Sequence, residues 1–234
     1  GSANSWIQDK LINNHGGLYN RVTYEMKLTP FNLCECEQLY KEYNVNMSRY
    51  DIVQSYMIFG GIPFYMGYVN PKMSLAQNVD NLFFNRNAVL SDEYNKLFSS
   101  VFVNPEAVKN IVKLLYTRNA GYTRKEIVEK LNITDGGRLS RNLNALISSD
   151  FVIKYVPFGF GKREEHYKLI DPFCIFYLHF IEGQKNNEKF WQQNSTSASI
   201  SSWRGFAFEN VCFNHVEQIK YALGIPAVIT EASA

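Results

Sequence analysis

The sequence predicts a mainly α-helical chain with a small amount of β-structure: a helical bundle followed by a winged helix-turn-helix, with truncated α/β pieces at both ends. Three observations lead there. Apolar residues recur at helical spacing from residue 32 to 147, the period changes to that of strands over 151–170, and a tight Asp135-Gly136-Gly137 turn separates two of the helices.

The first helix of this module starts at Asn104 and Pro105, a cap residue followed by the one residue that loses nothing by lacking an N–H in the first turn. Val108, Ile111, Val112 and Leu115 give it one apolar stripe, and Gly121 ends it. Thr123 with Glu126 forms a capping-box pattern for a second helix carrying Ile127, Val128 and Leu131. After the turn over 132–137, a third helix turns Leu139, Leu143, Leu146 and Ile147 inward and shows Arg138, Arg141, Asn142 and Asn144 on its other side. Helices two and three, joined by a glycine turn, follow the helix-turn-helix plan. The β-branched and aromatic run from Phe151, the turn cluster Pro157-Phe158-Gly159-Phe160-Gly161 and the return at His166 predict a hairpin, the wing, whose loop carries Lys162 and Arg163 followed at once by Glu164 and Glu165.

Earlier in the chain, a helix capped by Ser5 and a strand over Val22–Leu28 are expected. Helices then follow from Asn32 or Thr29 to Tyr43, from Ser48 to Phe59 with a Gly60-Gly61 stop, from Ser74 to Phe84 and from Ser91 to Phe102. Beyond the wing, Asp171 and Pro172 open a helix that is apolar almost all round and so belongs in a core. Gln184 to Ser202 is rich in Asn, Gln and Ser and reads as a linker or mobile loop. A last helix spans Trp203 to Leu223, with Phe208, Val211, Cys212, His215 and Ile219 inward and Gly224 as its stop, before a strand starts at Ala227.

With 234 residues and an aromatic share of 15%, the chain can build a packed core. Its net charge of +2 is far from the strongly basic balance of a general nucleic-acid binder, so a DNA footprint has to be local. The scattered Cys34, Cys36, Cys174 and Cys212 suit free thiols of a reducing compartment. Cys34-Glu35-Cys36 lacks a second Cys or His pair at zinc spacing, so no metal is expected. No apolar run reaches membrane-spanning length and no secretory signal is read, which leads to the expectation of a cytoplasmic protein without a membrane partner.

Several stretches together resemble the archaeal-type prokaryotic P-loop ATPases, AAA+-like proteins with a winged helix and a C-terminal nuclease-like domain. They are Gly1-Ser2-Ala3 with Ser5-Trp6, Gly17-Leu18-Tyr19-Asn20-Arg21, Leu28-Thr29-Pro30-Phe31, Gly60-Gly61-Ile62-Pro63-Phe64-Tyr65, Tyr167 to Phe173 with Phe176-Tyr177, and Gly205-Phe206-Ala207-Phe208-Glu209. The order matches across nearly the whole chain. The resemblance implies a C-terminal portion: 1–31 as the sensor-like tail of an ATPase core, 32–103 as the helical lid, 104–183 as the winged helix and the helix after it, 184–202 as linker, and 203–234 as the start of a nuclease-like domain. The chain departs from the family in having no G-x-x-x-x-G-K-[ST] loop and no apolar strand ending in a magnesium-binding Asp, so ATP and magnesium are implied for the full-length parent and not for this stretch. Of the nuclease-type acids only Glu209 is represented, since Glu231 has no Lys two residues on.

Arg21, which follows the sensor-like segment, is a candidate contact for a γ-phosphate, and Glu209 a candidate metal ligand. Their plainer readings are a surface arginine in a glycine loop and a solvated carboxylate. His215 and His179 read as core histidines. Arg124, Lys125, Arg138, Arg141, Asn142, Asn144, Lys162 and Arg163 are the candidate contacts to double-stranded DNA, diluted by Glu126, Glu129, Asp135, Glu164 and Glu165. The expected function is a lid and winged-helix module that couples an ATPase to DNA, to a protein partner or to a second copy, without catalysis of its own. The alternatives are a regulator-like DNA-binding protein and part of a metal-dependent nuclease.

Overall fold

A computed structural model describes residues 24, 26–161, 164–183 and 187–225. The chain is mainly helical, with one three-stranded sheet among the described residues. It divides into two units. One runs from Asn95 to Ile170 and takes in the described residues before Pro30; the other is built from Pro30–Tyr94 together with the chain after Asp171.

In the second unit, α1 (Leu33–Glu42) and α2 (Arg49–Phe59) open on capping boxes, Asn32 with Glu35 and Ser48 with Asp51, in which each residue's side chain accepts the other's backbone N–H. Gly60 ends α2 at φ 65°, a left-handed conformation that favours glycine. A Cβ on its neighbour Gly61 would collide with the Phe31 carbonyl, where the Phe31 N–H donates to the Gly61 carbonyl at 2.7 Å. A one-turn helix α3 (Pro63–Met66) follows, too short to leave a periodic signal.

The helix expected over 74–84 begins as predicted with Ser74 capping α4 (Leu75–Val79), but it widens into a π-helical turn over Asp80–Phe84. That turn carries Asp80, 1% exposed, whose carboxylate accepts the Trp191 and Gln192 N–H groups at 2.7 and 3.1 Å. Helix α5 (Glu93–Val101) carries the chain into the other unit.

The winged unit follows the predicted order: α6 (Pro105–Tyr116), α7 (Arg124–Leu131), α8 (Gly137–Ser148), and the antiparallel pair β2 (Val152–Tyr155) and β3 (His166–Leu169), preceded by a two-residue strand β1 (Tyr122–Thr123). The sheet order is β1-β3-β2, with Tyr122 opposite Tyr167 and Val152 opposite Leu169. At two residues, β1 carries no alternation and escapes any sequence reading. Val108, Ile111, Val112, Leu115, Ile127, Leu139, Leu143 and Leu146 fill the space between the helices, each 3% exposed or less. Each such side chain contributes on the order of 1.5–3 kcal/mol by leaving water. Asn104 precedes α6 but its side chain makes no capping bond, a correction to the expected N-cap.

After Asp171, which caps it by accepting the Cys174 N–H at 2.7 Å, comes α9 (Pro172–Phe180). This helix groups with the helical unit and not with the winged helix. Phe173, Phe176 and Phe180 meet Tyr65, Phe83, Trp191 and Trp203 at ring separations between 4.8 and 5.7 Å, an aromatic core. The stretch expected as a linker therefore holds structure among its described residues: α10 (Phe190–Asn194) and the start of α11 (Ala198–Asn214). Composition hid this because Trp191, 3% exposed, anchors an otherwise polar segment.

The expected last helix is broken at His215 into α11 and α12 (Val216–Ala222). Its buried face is Ile200, Trp203, Ala207, Asn210 and Val211, whereas Phe208 is 50% exposed, so the predicted stripe was rotated. The described part of the expected strand over 22–28 is irregular, with Tyr24, Met26 and Leu28 exposed and no strand partner among the described residues. The expected N-terminal helix and C-terminal strand lie outside the described residues.

Candidate functional site

The helix-turn-helix is held by two arginines that act inward. Arg118, at the end of the α6 region, meets Glu126 of α7 through two parallel bonds, Nη1 to Oε1 and Nη2 to Oε2, both 2.8 Å. Its Nε donates to the Gly121 carbonyl, and the guanidinium lies 3.9 Å from the centre of the Tyr122 ring. Glu126 also accepts the Thr123 N–H at 2.7 Å, completing the capping box. These bonds to Arg118 and Thr123 hold the Glu126 carboxyl down to about 2.

Arg124 spans the turn. Its Nε donates to Asp135 Oδ1 at 2.8 Å, and its Nη2 to the Gly136 carbonyl at 3.3 Å and to Ser140 Oγ at 3.0 Å. The turn also needs Asn132 at φ 49°, a left-handed conformation that asparagine tolerates. The arginine proposed from sequence as a DNA contact is thus engaged along the joint between α7 and α8, and Asp135, expected to dilute the positive field, is its partner.

Further ion pairs consume charge in the same way. Lys154 meets Glu165 at 3.1 Å across the hairpin, and Lys125 lies 3.9 Å from Glu129 on the exposed side of α7. Lys168 is fully buried in β3 and donates to the Asn119 carbonyl and side chain at 2.9 and 3.0 Å, so it serves the interior. An open cleft of about 650 Å³ lies between α7 and the wing. Of its charged lining, Arg124 pairs with Asp135 and Lys125 with Glu129, while Glu165 meets Lys154 outside it.

What remains outward is the face of α8. Arg138, Arg141 and Asn144 are exposed and Asn142 is half-buried. Among the described residues, no ion pair joins Arg138 or Arg141 to an acid. The helix begins at Gly136-Gly137 with no side-chain cap, and Arg141 Nη1 reaches back to 3.6 Å from where a Cβ on Gly137 would stand. Two guanidinium groups one turn apart beside uncapped N–H groups suit an anionic partner. The wing tip adds Phe158 and Phe160, 78% and 58% exposed. Lys162 and Arg163 lie outside the described residues, as does Arg21.

Glu209 is half-buried on α11 and, among the described residues, belongs to no group of three acidic, His or Cys side chains that could hold a metal. His215 is 6% exposed and joins two helices: its Nδ1 lies 2.7 Å from the Val211 carbonyl and its Nε2 accepts the Leu33 N–H at 2.9 Å. Those partners fix the neutral tautomer with the proton on Nδ1. It is a core histidine, as its spacing indicated. His179 is exposed, with its pKa lowered by partial desolvation, and packs on Phe180. Cys34 is exposed while Cys36 is buried, so the two thiols of the Cys34-Glu35-Cys36 run face different surroundings.

Sequence reading missed Arg118, Ser140 and the Arg124–Asp135 pair. The available signal was Glu126, whose capping-box position brings its carboxylate to the end of the preceding helix. No protein family, curated protein or solved structure matches the chain. Among the described residues, no helix is long and apolar enough to cross a membrane.

Proposed function

We propose that this chain is a non-catalytic portion of a cytoplasmic AAA+-like ATPase, with residues 32–103 as its lid and the winged helix coupling the ATPase to a partner through the outward face of α8. ATP and magnesium belong to other parts of the parent. The observation that carries the reading is that α8 presents Arg138, Arg141 and Asn144 to solvent while the neighbouring charges are spent on internal pairs. Chain connectivity supports coupling, because the winged helix is spliced into the helical unit, leaving it after Tyr94 and returning at Asp171. Displacement of the helical elements on either side of the winged helix is thereby passed on through the chain.

A second reading, a DNA-binding protein in its own right, is favoured by the two arginines that no described acid engages. Titration of a duplex DNA at about 50 and about 150 mM salt separates the two. Coupling predicts binding weaker than about micromolar at the higher salt. Submicromolar binding there, lost in Arg138→Ala with Arg141→Ala, would move the conclusion to the second reading. Calorimetry with MgATP is expected to show no binding, and micromolar affinity would refute the assignment to a portion lacking the nucleotide site.

A further inference from the structure

We infer that Arg124 is the positioning residue of the partner face: it sets the orientation of α8 from behind and does not itself touch the partner. The inference rests on the reading of α8 as that face. Arg124 is the first residue of α7, and its guanidinium engages three groups at the start of α8 or just before it: the Asp135 carboxylate, the Gly136 carbonyl and the Ser140 hydroxyl. A planar guanidinium can serve these divergent acceptors together because its donors are fixed in a fork, which a lysine ammonium cannot reproduce.

Leu139, 3% exposed, anchors from the core side the segment that Arg124 braces, while the backbone that starts the helix is loosely held. Gly136 and Gly137 give the backbone its greatest freedom, no side chain caps α8, and a Cβ at Gly136 would meet nothing within 4 Å. Arg138 and Arg141 stand on the first and second turns after this loose joint. The packing of Leu139, Leu143 and Leu146 holds the helix on the core, and the polar side of its first turn is bridged from α7 by the Arg124 side chain.

Charge and geometry make opposite demands here, which gives the test. Hydrogen exchange and binding to a duplex DNA at about 50 mM salt are measured for the whole chain as wild type, Arg124→Ala and Arg124→Lys. The expected result is faster exchange at 140–143, where the first helical N–H bonds of α8 form, in both variants by about fivefold or more, with the α6 core amides unchanged. DNA affinity of the folded variants falls alike in both, and the salt dependence keeps its wild-type slope. A phosphate-contacting Arg124 would instead be rescued by lysine and would lose about one unit of salt slope on truncation to alanine. Either of those outcomes, or wild-type exchange at 140–143 in both variants, overturns the assignment. If the wild type fails to bind DNA even at low salt, the DNA reading of the face fails while the exchange data still decide the role of Arg124.

Discussion

Glu126→Gln isolates the charge in the Arg118–Glu126 clamp, because glutamine can still return a carbonyl oxygen to the Thr123 N–H in the capping box. The carboxyl is held down to about 2 from an ordinary value of 4.5, which sets a ceiling of about 3 kcal/mol for the preference of the folded state for the ionised form. The side chains of Arg118 and Glu126 keep 38% and 32% of their surface in water, so screening reduces this to about 1–2 kcal/mol. The folded pKa lies below the unfolded one. The stabilisation is therefore fully present above about 4.5 and is lost as pH falls from there towards 2. Urea unfolding of the winged helix, followed by exchange at the buried Ile127 amide, should show Glu126→Gln less stable than wild type by about 1–2 kcal/mol at pH 7, the gap closing as the pH is lowered through 4 to 3. Equal stability at pH 7, or a gap that persists unchanged at pH 3, would refute the clamp as an electrostatic device.

Asp80→Ala removes the carboxylate that accepts the Trp191 and Gln192 N–H groups and the Gln192 side-chain amide, leaving donors at the start of α10 without their acceptor. It should cost about 2–4 kcal/mol and shift the tryptophan emission towards that of water-exposed indole. Gly121 sits at φ 71° with the Tyr167 carbonyl where a Cβ would go, so Gly121→Ala should unfold the winged helix or lower its stability by several kcal/mol, read by circular dichroism. With an aromatic disulfide reagent, the exposed Cys34 should react in the folded protein. The buried Cys36, its thiol pushed up to about 12 by desolvation, and the buried Cys174 should wait for unfolding.

The helices written in local chemistry were the legible part of this fold. Asn32 with Glu35, Ser48 with Asp51 and Thr123 with Glu126 place helix starts because each box closes within four residues and needs no distant partner. The parts that escaped depend on contacts far apart in sequence. The π-helical turn at Asp80 is matched by backbone donors 111 residues away, and α10 exists because Trp191 enters an aromatic core assembled from four other segments. The face of α11 was misread for a related reason: apolar residues stand on both sides of it, with Phe206 and Phe208 about half exposed, so periodicity does not single out the buried side. At the candidate site, composition identified the basic residues of the helix-turn-helix but could not separate those facing out from those turned in.

That separation determines what the winged helix can do. Arg118, Arg124, Lys154 and Lys168 are committed to Glu126, Asp135, Glu165 and Asn119, and Lys125 leans towards Glu129, so the described cations of α8 still open to a polyanion are Arg138 and Arg141. Two phosphate contacts correspond to a salt slope of about −1.8, and hence a loss of affinity of about tenfold between 50 and 200 mM. Contacts from Lys162 and Arg163 would steepen that slope in proportion. A pair of phosphate contacts is a weak hold by itself, and linking several such modules raises their joint hold through effective concentration without any new contact. Under the proposed function, such a face would act in several copies together and not alone. A single chain should therefore slip off duplex DNA at physiological salt, while the same chain artificially dimerised by a short flexible linker or a fused coiled coil should hold it measurably tighter. If enforced dimerisation leaves the affinity unchanged, α8 is not a DNA-facing surface and its arginines meet protein.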